Sequence, residues 1–214
     1  MVRPGLAVGM LAAFVALAWA AHGDSVLQGD VRLTRWAKGR SWPLLDELTD
    51  AANWSMRSVP LIVAGLFLVG VLAWRRMWPE AAIMTLALIL MHLSYPLKEI
   101  VASPRPSADL VEETEGGGGY GFPGGRAGNA VLVIGACAWI AARHGESRWA
   151  RTAIWEGAGL WIFVVGLARI MVGAHWPSDI LGAWLWTIPV LIAIASAMDK
   201  WRTLSRSGEA PYSP

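Results

Sequence analysis

A single cysteine, Cys137, occurs in 214 residues, and there are only four histidines. One thiol excludes an intrachain disulfide, and neither residue type clusters as metal ligands do. Charge is scarce as well: Asp, Glu, Lys and Arg make up 16% of the chain, and the formal net charge is +2. This excludes the polybasic face by which proteins hold nucleic acid. No segment repeats another. What is abundant is apolar: 55% of residues are hydrophobic and 14 are tryptophan. That balance belongs to a small polytopic membrane protein, and the length suits one domain, residues 1–214.

Six apolar runs stand out, at residues 4–21, 59–74, 81–97, 127–142, 152–172 and 180–198. Each approaches the ~20 residues a helix needs to cross a bilayer. The expected fold is therefore all-α, a bundle of six transmembrane helices. The first run also has features of a signal peptide, with Arg3 before it and Ala-Trp-Ala-Ala at its end. The number of runs that follow favours an uncleaved first span. Between the first two runs, residues 22–58 alternate Trp36, Trp42 and Trp54 with Arg32, Arg35, Lys38 and Arg40, then Asp46, Glu47 and Asp50. Leu44, Leu45 and Leu48 recur at helical spacing. This stretch reads as one or two short amphipathic helices in the headgroup layer.

Six spans put both termini on one side. The turns at 75–76 and 143–151 share that side with the tail, and all three are basic, which marks it as cytoplasmic. The loops at 22–58, 98–125 and 172–179 then face outward. The expected location is a plasma (inner) membrane, with the bilayer itself as partner.

One outward stretch, Ala168 to Asp179, carries Arg169, His175 and Asp179 where one apolar run stops and the next starts. Ionisable groups at such depths are costly and usually functional. Imidazole can attack phosphorus, a carboxylate on its other nitrogen fixes the tautomer, and arginine grips phosphate oxygens in a fork. A plainer reading also exists, in which Asp179 caps a helix and Arg169 snorkels. Upstream, Lys98 and Arg105-Pro106 stand on the same side. Three cations facing Asp179 would form a pocket for a phosphate-sized anion.

The series Lys98, six residues, Arg105-Pro106, then Arg169, five residues, His175, three residues, Asp179 closely resembles the type 2 phosphatidic acid phosphatase family of membrane lipid phosphatases. Its signature is K-x6-R-P, then P-S-G-H, then S-R-x5-H-x3-D. The resemblance spans most of the chain. It implies His175 as a nucleophile that becomes phosphohistidine and Asp179 as its orienting group. It also implies Lys98, Arg105 and Arg169 as ligands of the phosphoryl oxygens, a phosphorylated lipid as substrate, and no metal or other cofactor.

The middle motif departs from the family pattern. Here the chain reads Phe122-Pro123-Gly124-Gly125-Arg126-Ala127, with glycine in place of serine and Arg126 in place of the general-acid histidine. Ala168 also replaces the serine before Arg169. A lipid monoester leaves as an alkoxide and needs a proton. Arginine cannot supply one, its pKa lying above about 12. A diphosphate leaves as a phosphate monoester, whose second pKa is about 6, so it can depart as an anion. Arg126 suits that departure, with the N–H groups of Gly124 and Gly125 as an anion-binding turn. The expectation is hydrolysis of a polyprenyl diphosphate at the outer face, recycling the lipid carrier of cell-envelope synthesis. Two alternatives stay open: a lipid phosphotransferase on the same fold, and a non-catalytic member that binds or moves phosphorylated lipid. The six runs and the absent histidine argue against a vanadate haloperoxidase. Of other candidate acids, His92 reads as a packed intramembrane histidine and Glu99 as a partner for a nearby cation. Glu112, Glu113 and Glu115 read as solvated; His22 and His144 sit at span ends.

Overall fold

The structure, a computed structural model, describes residues 4–23, 26–39, 43–111 and 118–207. Among these residues every regular element is helical: α1 (Pro4–Ala20), α2 (Gln28–Lys38), α3 (Pro43–Ser55), α4 (Ser58–Trp74), α5 (Trp78–Leu90), α6 (Ser94–Val101), α7 (Gly125–Arg143), α8 (Arg148–Met171) and α9 (Pro177–Ser207). A 3-10 turn, Met91–Leu93, joins α5 to α6. Glu112, Glu113, Glu115, Arg40 and Trp42 lie outside the described residues.

Four helical stretches are long and apolar enough to cross a bilayer: Trp78–Val101, Gly125–Arg143, Arg148–Met171 and Pro177–Leu204. The chain is an integral membrane protein. A fifth crossing is formed if Leu45–Ser55 and Ser58–Trp74, which meet at a 64° bend, count as one broken span. The apolar helix Gly5–Ala20 is shorter than these. The expected count of six thus meets four or five on length and hydropathy. Trp78–Val101 outruns the limits expected from the sequence, 81–97, at both ends. Pro96 falls in the first turn of α6, where a missing N–H costs no helical bond, so it does not stop the chain.

The central helix is α7, which packs against α5, α8 and α9. Its buried face is mostly alanine, glycine and valine, so neighbouring backbones come close. At Gly128 a Cβ would stand 3.2 Å from the Thr187 side chain of α9. At one end of the bundle, ion pairs fasten the helices. Arg202 donates to buried Glu80 at 2.7 Å, and Arg143 pairs with Asp199 while lying 3.9 Å over the Trp139 ring. The opposite end gathers the last turn of α6, the first turns of α7 and α9, the last turn of α8 and the α3–α4 bend. The chain leaving α1 reaches this end too, where His22 Nδ1 lies 2.9 Å from Val101 O.

Helix α2 packs in an unexpected sense. On α2 the buried residues are the polar Asp30 and Thr34, while Leu33 and Trp36 are more than half exposed. The polar side of this helix faces the protein.

Candidate active site

Arg169 ends α8 and Asp179 begins α9, with the turn between them led back by the α8 C-terminus. The N–H groups of Ala174 and His175 both donate to Arg169 O, at 3.1 and 3.2 Å. Gly173 makes the turn at φ 69°, a value other residues rarely adopt. Pro177 then opens α9, where its fixed φ suits the first helical position. Asp179, two residues further, reaches back to the Trp176 N–H at 3.0 Å, half of a capping box. The same carboxylate oxygen, Oδ2, lies 3.0 Å from His175 Nδ1. The capping reading and the catalytic reading of Asp179 therefore describe one geometry. Both side chains are buried, Asp179 completely. Burial holds the His175 imidazole well below its ordinary pKa, and Lys98, Arg105, Arg169 and Arg126 depress it further. At neutral pH the ring is uncharged. With Nδ1 on Asp179, Nε2 is the nitrogen left for chemistry.

A cavity of about 230 Å³ lies against this pair, lined by Ser58, Ser94, Tyr95, Lys98, Arg105, Gly125, Arg126, Asn129, Arg169 and His175. Four cations from four parts of the chain meet there. Lys98, on α6, donates to Tyr120 O at 3.1 Å and Gly121 O at 3.3 Å. Arg105 holds Gly119 O through Nε at 3.1 Å and Ala174 O through a terminal nitrogen at 2.9 Å. Arg169 is buried and donates to Asn53 Oδ1 at 2.8 Å. Arg126 stands in the first turn of α7, whose dipole adds positive potential. Their hydrogen bonds named here run to neutral oxygens, so these bonds set geometry without cancelling charge.

The structure thus brings together Lys98, Arg105, Gly125, Arg126, Arg169, His175 and Asp179. Gly124 is the exception. Its N–H donates to Asp179 O at 2.9 Å, and it does not line the cavity. A Cβ there would meet Ile180 at 3.1 Å and Asp179 O at 3.3 Å. Its place is the close approach of α7 to α9, and the anion-binding turn expected at Gly124-Gly125 is reduced to Gly125.

Several residues of the site carried no signal in the chain. Gly121 is one: its missing side chain leaves room for the Asp179 carboxylate, whose Oδ2 would stand 2.6 Å from a Cβ. Asn53 is another, since nothing in the sequence joins α3 to Arg169. The Asn129 amide, oriented with its nitrogen as donor, reaches Gly125 O at 3.1 Å and Met91 O at 3.3 Å. Asp30 is the fourth; both of its oxygens accept from Ser178. Among the remaining candidates, His92 is exposed rather than packed, its Nδ1 3.1 Å from Leu88 O. Glu99 is exposed and off the cavity, and His144 lies at the other end with Glu80 and Arg202. Among the described residues no three His, Cys, Asp or Glu side chains converge as metal ligands.

An all-helical membrane bundle with a buried histidine–carboxylate pair under four cations is the arrangement that the resemblance to membrane lipid phosphatases implies. The model of the PAP2 superfamily matches residues 76–203, more than half of the chain, and the chain belongs to that family. Members of the family are phosphatases, and this chain is an enzyme of that kind. It is 26% identical over 184 residues to phosphatidylglycerophosphatase B of Bacillus subtilis (strain 168), covering 82% of this chain and 86% of the relative. Among solved structures, a transmembrane PAP2-type phosphatidylglycerolphosphate phosphatase from Bacillus subtilis superposes with a TM-score of 0.77 at 22% identity, over 91% of this chain and 96% of that one. LpxE from Aquifex aeolicus gives 0.55 at 22% identity, over 78% and 96%. These likenesses show the fold.

Proposed function

We propose that the chain hydrolyses a lipid diphosphate, a polyprenyl diphosphate in particular, to the monophosphate through a phosphohistidine. The observation that carries this reading is Arg126 at the cavity, on the turn that bears the family's acid. His175 Nε2 attacks the terminal phosphorus as the bond to the bridging oxygen breaks. The electron pair of that bond leaves on the bridging oxygen of a phosphate monoester, which needs no proton at neutral pH because its second pKa is about 6. Arg126 receives the departing anion; Lys98, Arg105 and Arg169 hold the transferred group as its charge redistributes. Asp179 stabilises the imidazolium that forms. Water then attacks the phosphorus, the P–N bond breaks, and the ring is released neutral once the proton of water reaches solvent.

The apolar part of the substrate has a path. Ser58 and Tyr95 stand at the cavity's exposed edge, and one helical turn further along each helix lie Ile62 and His92. These open onto an apolar groove between α4 and α5, lined also by Leu66, Thr85, Leu88 and Ile89. A chain bound there runs into the bilayer from the phosphate site. For the topology, we read six crossings, with α1 as the first and the bent α3–α4 pair as the second, and α2 lying at the interface. The basic turns at Arg75-Arg76 and 143–151 gather with Arg202 at the end remote from the cavity, which supports a cytoplasmic assignment for that end and for both termini. The cavity then faces outward from the plasma membrane.

Hydrolysis of a phosphatidylglycerophosphate monoester is the second reading, favoured by the name of the Bacillus relative. The deciding experiment is phosphate release by detergent-purified protein from a polyprenyl diphosphate, a polyprenyl monophosphate, phosphatidylglycerophosphate and phosphatidic acid, with and without EDTA. Selective release from the diphosphate that survives EDTA is expected. Equal or faster release from the monoesters overturns the diphosphate assignment.

Gly121→Ala supplies a second test of the pair. The added Cβ would stand 2.6 Å from Asp179 Oδ2, so the carboxylate must shift. A displacement approaching 1 Å beside a reacting group costs about 100-fold in turnover. A kcat within about threefold of the native value would remove Asp179 from the mechanism.

A further inference from the structure

The nucleophile sits in a turn, and a turn of five residues does not hold an imidazole to sub-ångström tolerance by itself. Helix α2 lies across it. Asp30 Oδ1 accepts from the Ser178 N–H at 2.8 Å, and Oδ2 accepts from the Ser178 hydroxyl at 2.6 Å. Eight residues along α2, Lys38 Nζ donates to Met171 O at 2.7 Å. Eight residues of helix span about 12 Å, enough to bridge the two ends of the turn. The charges have the right sense at each end: a carboxylate at the N-terminus of α9 and an ammonium at the C-terminus of α8. Between them Thr34 is fully buried, on the same helical face as Asp30 and Lys38. Arg35 donates to Leu110 O at 2.9 Å and ties α2 to the loop that carries Arg105.

Asp30 is 5% exposed and one of the few buried carboxylates of the described chain. Burying this carboxylate is costly and repulsion from Asp179 adds to the cost; both raise its pKa, against the two hydrogen bonds from Ser178. The offsetting gain is the anchoring of Ser178, three residues after the nucleophile and one before its partner carboxylate.

We infer that α2 is a positioning element of the active site, and that Asp30, through Ser178, holds the His175–Asp179 pair in register with the cations of the cavity. The inference rests on His175 as the nucleophile and is independent of which phosphorylated lipid is the substrate. Asp30 touches neither substrate nor reacting atoms.

The test pairs kinetics with a substrate-free readout. In Asp30→Ala, kcat is expected to fall by about 10- to 100-fold while KM changes by less than about threefold. Asp30→Asn is expected to recover most of that loss, because its amide can accept from the Ser178 N–H and donate to the Ser178 hydroxyl. Ser178→Ala should cost less than Asp30→Ala, and the double variant should be no worse than Asp30→Ala alone.

The second readout is the NMR titration of the His175 ring, assigned with His175→Gln. The ring is faced by Lys98, Arg105, Arg126, Arg169 and Asp179, with Asp30 behind Ser178. Loosening the turn admits water and relieves the burial that depresses its pKa, so the midpoint should move up toward the ordinary histidine value in Asp30→Ala and return in Asp30→Asn. Should Asp30→Ala fail to fold in detergent, Lys38→Met and Ser178→Ala are expected to shift the same midpoint in the same direction. An unmoved midpoint, or a loss of kcat that asparagine does not rescue and that adds to Ser178→Ala, overturns the inference. Because the titration uses no substrate, its outcome stands even if the diphosphate assignment fails.

Discussion

His175→Ala is expected to abolish phosphate release, by about 10,000-fold or more, while leaving the fold and lipid binding intact. Three features make the loss so large. His175 lines the cavity, its Nδ1 is committed to Asp179 at 3.0 Å, and its pKa is held low by burial and by four cations. In the proposed mechanism the ring therefore attacks as a neutral nucleophile. The sign of the pH dependence follows: activity requires the uncharged ring, so the acid limb of kcat/KM should fall well below the ordinary histidine range near 6.5. Rapid quench with a labelled substrate should trap a phosphoenzyme that is stable to base and labile to acid, and His175→Ala should trap none. Turnover in His175→Ala within about tenfold of the native enzyme would assign the nucleophile elsewhere.

Arg169→Ala should rank next, with kcat reduced by about 100- to 1,000-fold, the usual cost of removing one preorganised donor to a developing charge. Arg169 is buried against Asn53 rather than solvated, so its charge acts at full strength on the cavity. Lysine keeps the charge and loses the planar fork; Arg169→Lys should fall between native and alanine. Asn53→Ala, which leaves the guanidinium present but unguided, should cost about tenfold. Removing Arg169 also removes one of the charges that depress His175, so the acid limb should move upward in Arg169→Ala. A kcat unchanged in both Arg169 variants would reduce this arginine to a structural role.

Much of this site could be read from spacing because its chemistry is local in sequence. His175 and Asp179 are four residues apart, and the capping geometry of one helix end brings them together whatever surrounds them. Lys98 and Arg105 were legible as cations at a span end. The apolar runs marked the helices well, but boundaries slipped where a helix continued past its apolar core, as α6 does past Pro96 and α9 past Met198. What stayed hidden was long-range. Asn53 meets Arg169 across 116 positions, and Asp30 meets Ser178 across 148. No periodicity encodes such pairs. Gly121 was hidden for another reason: its role is the room it leaves, and a stretch already rich in glycine masks it. Gly124 misled in the opposite way. The motif suggested a phosphate contact, yet its N–H is already taken by Asp179 O.

In the proposed mechanism Arg126, standing where the family keeps an acid, restricts the enzyme to substrates whose leaving group needs no proton. The most direct measurement is the ratio of kcat/KM for a polyprenyl diphosphate to that for the matching monophosphate, in the native protein and in Arg126→His. A large ratio is expected for the native enzyme. In Arg126→His the ratio should collapse by about 100-fold or more, because a general acid restores monoester hydrolysis while the clamp on the departing phosphate is lost. A native ratio near one, or a ratio that Arg126→His leaves unchanged, would contradict this mechanism.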